Sequence, residues 1–151
     1  MPNTKAVGVA YSDPQFDSLT VTGATALATV TGTSFSGTTV TASGNLVIAS
    51  ATVAAAGSSN TDAATVAAGF TLVTAADATK GVILSAPVAG TVVIIKNADA
   101  ANAVLKVYPN SGASINALTA TTGGYSMAAK TSMVLVAYSA TQWYTVPLVA
   151  S

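Results

Sequence analysis

The chain contains no histidine, cysteine, glutamate or arginine, and its charge consists of five Lys and five Asp in 151 residues. Each absence removes a class of chemistry. Without His there is no side chain that ordinarily titrates near neutral pH and serves as general base. Without Cys there is neither a thiolate nucleophile nor a thiolate zinc site, although its absence fits reducing and oxidising compartments alike. Without Arg there is no bidentate phosphate clamp, and a net charge of zero leaves no basic stripe, so nucleic acid is not an expected partner. Charged residues make up 7% of the chain, against roughly 25% in an ordinary globular protein. The surface must therefore be covered by Thr, Ser, Asn and Ala, or hidden against other subunits. Long hydrophobic runs are missing too. The longest, residues 81–95, is interrupted by Pro87 and Gly90 and is too short to cross a bilayer, so no membrane partner is expected. The first sixteen residues hold one Lys and no continuous apolar core, so no targeting peptide is expected.

What is present is Ala, Thr, Val and Gly in an apolar fraction of 51%, far too apolar for a disordered chain and suited to closely packed β-structure. The length accommodates one ordinary domain, or a stalk plus a compact domain. Residues 18–50 repeat. Thr-Val-Thr recurs at 20–22, 29–31 and 39–41, followed within one to three residues by Gly23, Gly32 and Gly44. β-Branched residues favour strands and the glycines end them, so the segment reads as three or four short strands with tight turns. Each rung has few large apolar groups, among them Leu19 and Val21, Leu27 and Val30, Phe35 and Val40, Leu46 and Ile48. A segment this short does not usually stabilise a core alone, and no disulfide can staple it. Three identical chains around one axis would close that core, with Leu19, Val21, Val30 and Val40 inward and the Thr and Ser outward. The other reading makes these strands part of one larger sandwich in a monomer.

Three regions follow: an arm at 1–17, a repetitive β-stalk at 18–50 and a β-domain at 51–151. The arm has Pro2, Pro14, Gly8 and scattered Val7, Val9, Tyr11 and Phe16, with no helical period. Either it tethers the protein to a partner through those four side chains, or it is a terminal strand folded back on its own domain. Residues 51–69 are small side chains around a Gly-Ser-Ser-Asn turn, and read as short strands or coil. Beyond them, strands are expected at 70–74, 82–84, 91–96, 103–108, 132–138 and 142–146, spacing that suits a sandwich or barrel. Residues 92–95 and 133–136 are each apolar at four consecutive positions, which marks central strands buried on both faces. One helical turn is expected at 77–81, ended by Gly81. Trp143 is large enough to anchor the domain, with its N–H in need of an acceptor.

Candidate chemistry is sparse. Asn97, Asp99 and Asn102 offer oxygens of the kind calcium prefers, but a single carboxylate without EF-hand spacing reads better as a polar turn, so no metal ligand and no cofactor are expected. Lys80 or Lys130 beside Ser126 or Ser132 lacks a nucleophile motif, and Gly123-Gly124 lacks the Lys and helix of a phosphate loop. No catalytic residue is assigned, and the protein is not expected to be an enzyme. Tyr108, Tyr125, Tyr138, Trp143 and Tyr144 either line a sugar-binding face or serve as core and subunit contacts.

Two parts of the chain together resemble a known class. The Thr-Val-Thr-Gly repeat is similar to the trimeric β-stalks of tailed-phage fibres and spikes. The run GVILSAPVAGTVVIIKN at 81–97, with VYPNSGASIN at 107–116 and Gln142-Trp143-Tyr144, resembles a β-rich module of small tailed-phage virion proteins, including capsid decoration (cement) proteins and head fibres. The resemblance implies an all-β, homotrimeric, non-enzymatic part of a phage particle. It would be made in the host cytoplasm and located on the outer capsid surface, with the major capsid protein as partner and Val7, Val9, Tyr11 and Phe16 as the docking arm. A receptor-binding fibre or spike component that recognises a host glycan is the alternative.

Overall fold

A computed structural model describes residues 43–66 and 69–146. The chain divides into two units, Met1–Thr41 and Ala42–Ser151, and every described residue belongs to the second. The arm positions Val7, Val9, Tyr11 and Phe16 and the axis positions Leu19, Val21, Val30 and Val40 lie outside the described residues. Leu46 and Ile48, the last of the repeat pairs, are exposed and precede the first strand.

The described residues form ten strands and no helix: β1 Ser50–Ala54, β2 Ala64–Thr65, β3 Phe70–Thr74, β4 Gly81–Ile83, β5 Val92–Asn97, β6 Leu105–Tyr108, β7 Ser114–Ile115, β8 Tyr125–Met127, β9 Ser132–Ser139 and β10 Gln142–Val146. They make a six-stranded sheet in the order β1-β3-β5-β9-β10-β7 and a four-stranded sheet in the order β2-β4-β6-β8. From β1 to β6 the chain alternates between the two sheets, and within each it pairs in parallel. Ser50 aligns with Phe70 and Phe70 with Ile94 in the larger sheet, and Val82 with Ala64 and Val107 in the smaller. Parallel neighbours reached by passing through the opposite sheet are coils, so the arrangement is β-solenoid-like. Aligned positions on successive coils are 18 to 25 residues apart, at the low end for solenoid repeats.

The later pairings then reverse, apart from β7, which lies parallel to β10 at the edge of the larger sheet. β8 runs antiparallel to β6, β9 to β5, and β10 to β9, so the last part of the chain covers the edge that the third coil would otherwise leave open. The expected one-turn helix at 77–81 is not formed. Asp77 Oδ1 instead accepts the N–H groups of Thr79 and Lys80 at 3.0 and 2.8 Å, and Gly81 opens β4. A carboxylate bonded to the backbone two and three residues on makes an Asx-type turn, which competes with helix formation.

Both sheets feed one core. Val73, Val93, Ile95, Leu135 and Trp143 come from the larger sheet, and Val82, Leu105, Val107 and Met127 from the smaller. Burying a Val, Leu or Ile side chain stabilises by about 1.5–3 kcal/mol, which sets the scale of what these inward positions contribute. Trp143 is fully buried, but its Nε1–H has no acceptor among the described residues. β5 and β9 do lie side by side in the middle of the larger sheet. They are not buried on both faces, however: burial alternates along each strand, and Val92 is 50% exposed.

Candidate interaction face

That alternation leaves an apolar outer face on the six-stranded sheet. Strand register places Phe70, Ile94, Val134 and Val146 in one row across β3, β5, β9 and β10, and Val92, Val136 and Tyr144 in the next. These residues are half-buried or exposed, and nothing in the described part of the domain covers them. Tyr138, 73% exposed, stands against Tyr144 edge to face with ring centroids 5.9 Å apart. Toward the opposite edge the outer positions of β1 are Ser50, Thr52 and Ala54. Here the surface sinks into a hollow of about 310 Å³ lined by Ser50, Ala51, Thr52, Phe70 and Leu72. The one cation on this face, Lys96, lies at its end, where Nζ donates to the Lys130 carbonyl.

The same end of the domain holds the polar cluster singled out by the sequence. Asn97 is fully buried. Its Nδ2 donates to the carbonyls of Ala103 at 2.9 Å, Ala128 at 3.2 Å and Met127 at 3.4 Å, while Oδ1 accepts the Asp99 N–H at 3.2 Å. Asp99 Oδ2 accepts the Ala103 N–H at 3.0 Å, and Lys130 Nζ donates to the Asp99 carbonyl. The side chains of Asn97 and Asp99 thus satisfy the backbone around them and tie the β5–β6 turn to the β8–β9 turn. Asn102 and Lys130, both at positive φ, shape those two turns. Among the described residues no three His, Cys, Asp or Glu cluster.

The aromatic residues do not gather on one surface. Tyr108 occupies the outer side of the four-stranded sheet, with its ring between Gly81 and Gly124. A Cβ would stand 2.6 Å from the ring at Gly81 and 2.7 Å at Gly124. Its hydroxyl donates to the Ser58 carbonyl at 2.6 Å. Burial first, and then the Asp62 carboxylate, push the phenol above its ordinary pKa. Asp62 is itself held below the usual carboxylate range by hydrogen bonds from the Ser59 hydroxyl and from the Ser59 and Ser58 N–H groups. Tyr125 is half-buried against the core and Trp143 lies within it, so only Tyr138 and Tyr144 meet in the open. The serine–lysine contact is Lys106 Nζ donating to Ser126 Oγ at 2.7 Å, between cross-strand neighbours of β6 and β8. No described helix is long and apolar enough to cross a membrane. Comparison of the chain with protein-family models, curated proteins and solved structures finds no match.

Proposed function

We propose that the protein is a structural component of a tailed-phage particle, a homotrimer that binds the outside of the capsid and stabilises it as a decoration protein. The observation that carries this reading is the apolar outer face of the six-stranded sheet, which no described residue covers. A rigid, coil-built body with a bare hydrophobic surface is suited to assembly, because contiguous patches of this kind mark interaction sites. The resemblance of residues 81–97, 107–116 and 142–144 to phage virion modules supplies the particle. In this reading Leu19, Val21, Val30 and Val40 line the three-fold axis of the stalk, and Val7, Val9, Tyr11 and Phe16 dock on major capsid subunits.

Binding is then carried by apolar contact and by three-fold avidity rather than by charge, since ten charges of both signs spread over the chain are screened within roughly 8 Å at physiological salt. Co-sedimentation with capsids stripped of the protein tests this. Full-length protein binds and withstands about 0.5 M salt, whereas a chain lacking residues 1–16 stays trimeric and no longer binds. Failure of the full-length protein to bind capsids overturns the reading. The exposed Tyr138–Tyr144 pair favours one other function, a fibre tip that stacks on host glycan, and binding to host cells instead of capsids selects it.

A further inference from the structure

We infer that residues 147–151 continue β10 as a strap along β9 and close a groove between the two sheets, so that the chain fills with its own tail a strand position at which the larger sheet stops short. These residues, Pro-Leu-Val-Ala-Ser, follow β10 directly and lie outside the described residues. β9 is eight residues long and β10 five, and their antiparallel register ends with Val146 opposite Val134. Ser132 and Met133 still pair with Lys96 and Ile95 of β5 on one side, but no described strand lies beside them on the other. There a groove of about 310 Å³ opens, lined by Ser132 and Met133 of β9, by Tyr125 and Met127 of β8 and by Val146 itself. Five residues reach about 17 Å when extended, so a segment that starts at the mouth of this groove is confined to its neighbourhood.

The direction of the hydrogen bonds selects the same segment. Along β9 the odd-numbered residues face β5: the Asn97 N–H donates to the Thr131 carbonyl at 3.0 Å, and the Ala137 N–H to the Thr91 carbonyl at 2.9 Å. Alternation turns the N–H and C=O of Ser132 to the other side. Continued by two residues, the β9–β10 register sets Pro147 opposite Met133 and Leu148 opposite Ser132. The Thr145 N–H points away from β9, to Asn116 Oδ1 at 3.0 Å, and position 147, two residues on, has the same direction. Proline therefore falls where the ladder does not use its missing N–H, and Leu148 falls where its N–H and C=O meet those of Ser132.

Side chains alternate in step. Thr145 and Met133 face the core, at 3% and 7% exposure, so Pro147 and Val149 enter the groove against Met133, Met127 and Tyr125, while Leu148 joins the outer face beside Val146. Two of the chain's three methionines border the groove, and their flexible thioethers conform to a ring and to a branched side chain alike. Neither the segment nor the groove lining carries a charged side chain. An open strand position is otherwise a template for a foreign strand, and a tail tethered beside it occupies it first.

The absence of cysteine makes the test direct. Opposed residues of a non-hydrogen-bonded antiparallel pair stand about 4.5 Å apart at Cα, within the range that a disulfide spans. In the full-length chain, Met133→Cys combined with Pro147→Cys is expected to oxidise to an intrachain bond, read as loss of both free thiols at single-chain mobility in non-reducing electrophoresis. Met133→Cys combined with Leu148→Cys, whose second thiol lies on the other side of the strand, is expected to oxidise at least about tenfold more slowly. Amide exchange gives a second reading without cysteine. The Ser132 amide is expected to exchange about as slowly as that of Val134 in the full-length protein, and at least about tenfold faster in a chain ending at Val146, with the Val136 amide unchanged. A disulfide between chains in the first variant assigns the groove to the tail of another copy and overturns the strap. Equal oxidation of both pairs, or of neither, overturns the register. A Ser132 amide that exchanges freely in the full-length protein, or that is indifferent to removal of 147–151, overturns the contact. Should Met133→Cys not fold, the exchange measurement decides alone.

Discussion

Replacing Asn97 by Ala tests what holds the polar end of the domain together. The side chain is fully buried and makes four hydrogen bonds, three donated to carbonyls and one accepted from the Asp99 N–H. Truncation leaves those backbone groups without it, and the methyl group that remains cannot replace any bond. An unpaired buried group costs about 1–3 kcal/mol, and the part-buried Ala103 and Ala128 carbonyls fall at the low end of that range. The expected loss is about 3–4 kcal/mol, a large share of the roughly 5–15 kcal/mol that holds a domain folded. For a domain of this size that corresponds to a melting temperature lower by about 15 °C. Urea unfolding at fixed protein concentration measures it, with an unchanged m-value expected. Asn97→Asp sharpens the test. A carboxylate cannot donate to the three carbonyls, so at pH 7 this variant falls below Asn97→Ala. Its folded-state pKa is raised, so the deficit relative to wild type at the same pH shrinks as the pH falls toward about 4, the ordinary Asp value. A loss below about 1 kcal/mol for Asn97→Ala, or an Asn97→Asp variant no worse than Asn97→Ala at neutral pH, refutes the reasoning.

Gly124→Ala drives a methyl group toward the Tyr108 ring, where a Cβ would stand 2.7 Å away. It should destabilise by about 1–3 kcal/mol, and a Tyr108→Ala background should remove most of that penalty in a double-mutant cycle. Stability should fall as pH rises above about 10, because the unfolded phenol ionises first and the buried Tyr108 resists ionisation. Tyr108→Phe should flatten that alkaline arm, as compared in melts from pH 8 to 11. In acid, stability should begin to fall near pH 4 and continue below it, because Asp62 and Asp77 are held below their ordinary range by their hydrogen bonds. Between pH 6 and 8, and on addition of EDTA, melts should be unchanged, since the chain has no His and the Asn97 and Asp99 side chains bond the backbone around them. Trp143→Ala should cost about 3–5 kcal/mol in urea unfolding. Trp143→Phe should cost distinctly less, because the unpaired Nε1–H leaves with the indole.

Of the six strands with β-branched or aromatic runs, four were legible because Gly, Pro, Asn or Asp flank them on both sides, whereas β9 and β10, joined by Ala140-Thr141, stood out by their apolar and aromatic runs alone. β3 and β10 begin and end where the residues predict, and β4, β5, β6 and β9 differ by one or two positions. β1 and β2 are built from Ser, Ala, Thr and Val, carry no such contrast, and become strands through parallel pairing with β3 and β4. Pairing direction has no signature in local periodicity, so the coils could not be read from a pattern that an antiparallel sheet shares. The apolar quartets at 92–95 and 133–136 located the centre of the larger sheet but not the side left bare. In the polar cluster, Asn97 and Asp99 stood out by type. Their ties to Ala128 and Lys130 join residues some thirty positions apart, and no spacing rule connects them. Tyr108 fits between Gly81 and Gly124 for the same kind of reason, since only the sheet brings the two glycines to opposite sides of its ring.

The change of strand direction after β6 bears on how the domain is synthesised. The β9–β10 hairpin closes across two residues, whereas every parallel pair must wait for a connection to travel around a full coil. Chain closure therefore favours the hairpin as the first native pairing, with β5 docking on β9 and β3 and β1 following outward. A ribosome delivers these strands in the opposite order, at roughly 5–20 residues per second. The first six emerge several seconds before the surface they stack on exists, a period in which unpaired strand edges invite aggregation. The brevity of Ala64–Thr65 and the Thr-, Ser- and Ala-rich make-up of Ser50–Ala54 give those two strands little to stick with, so the exposure during synthesis falls on the apolar strands β3 and β5.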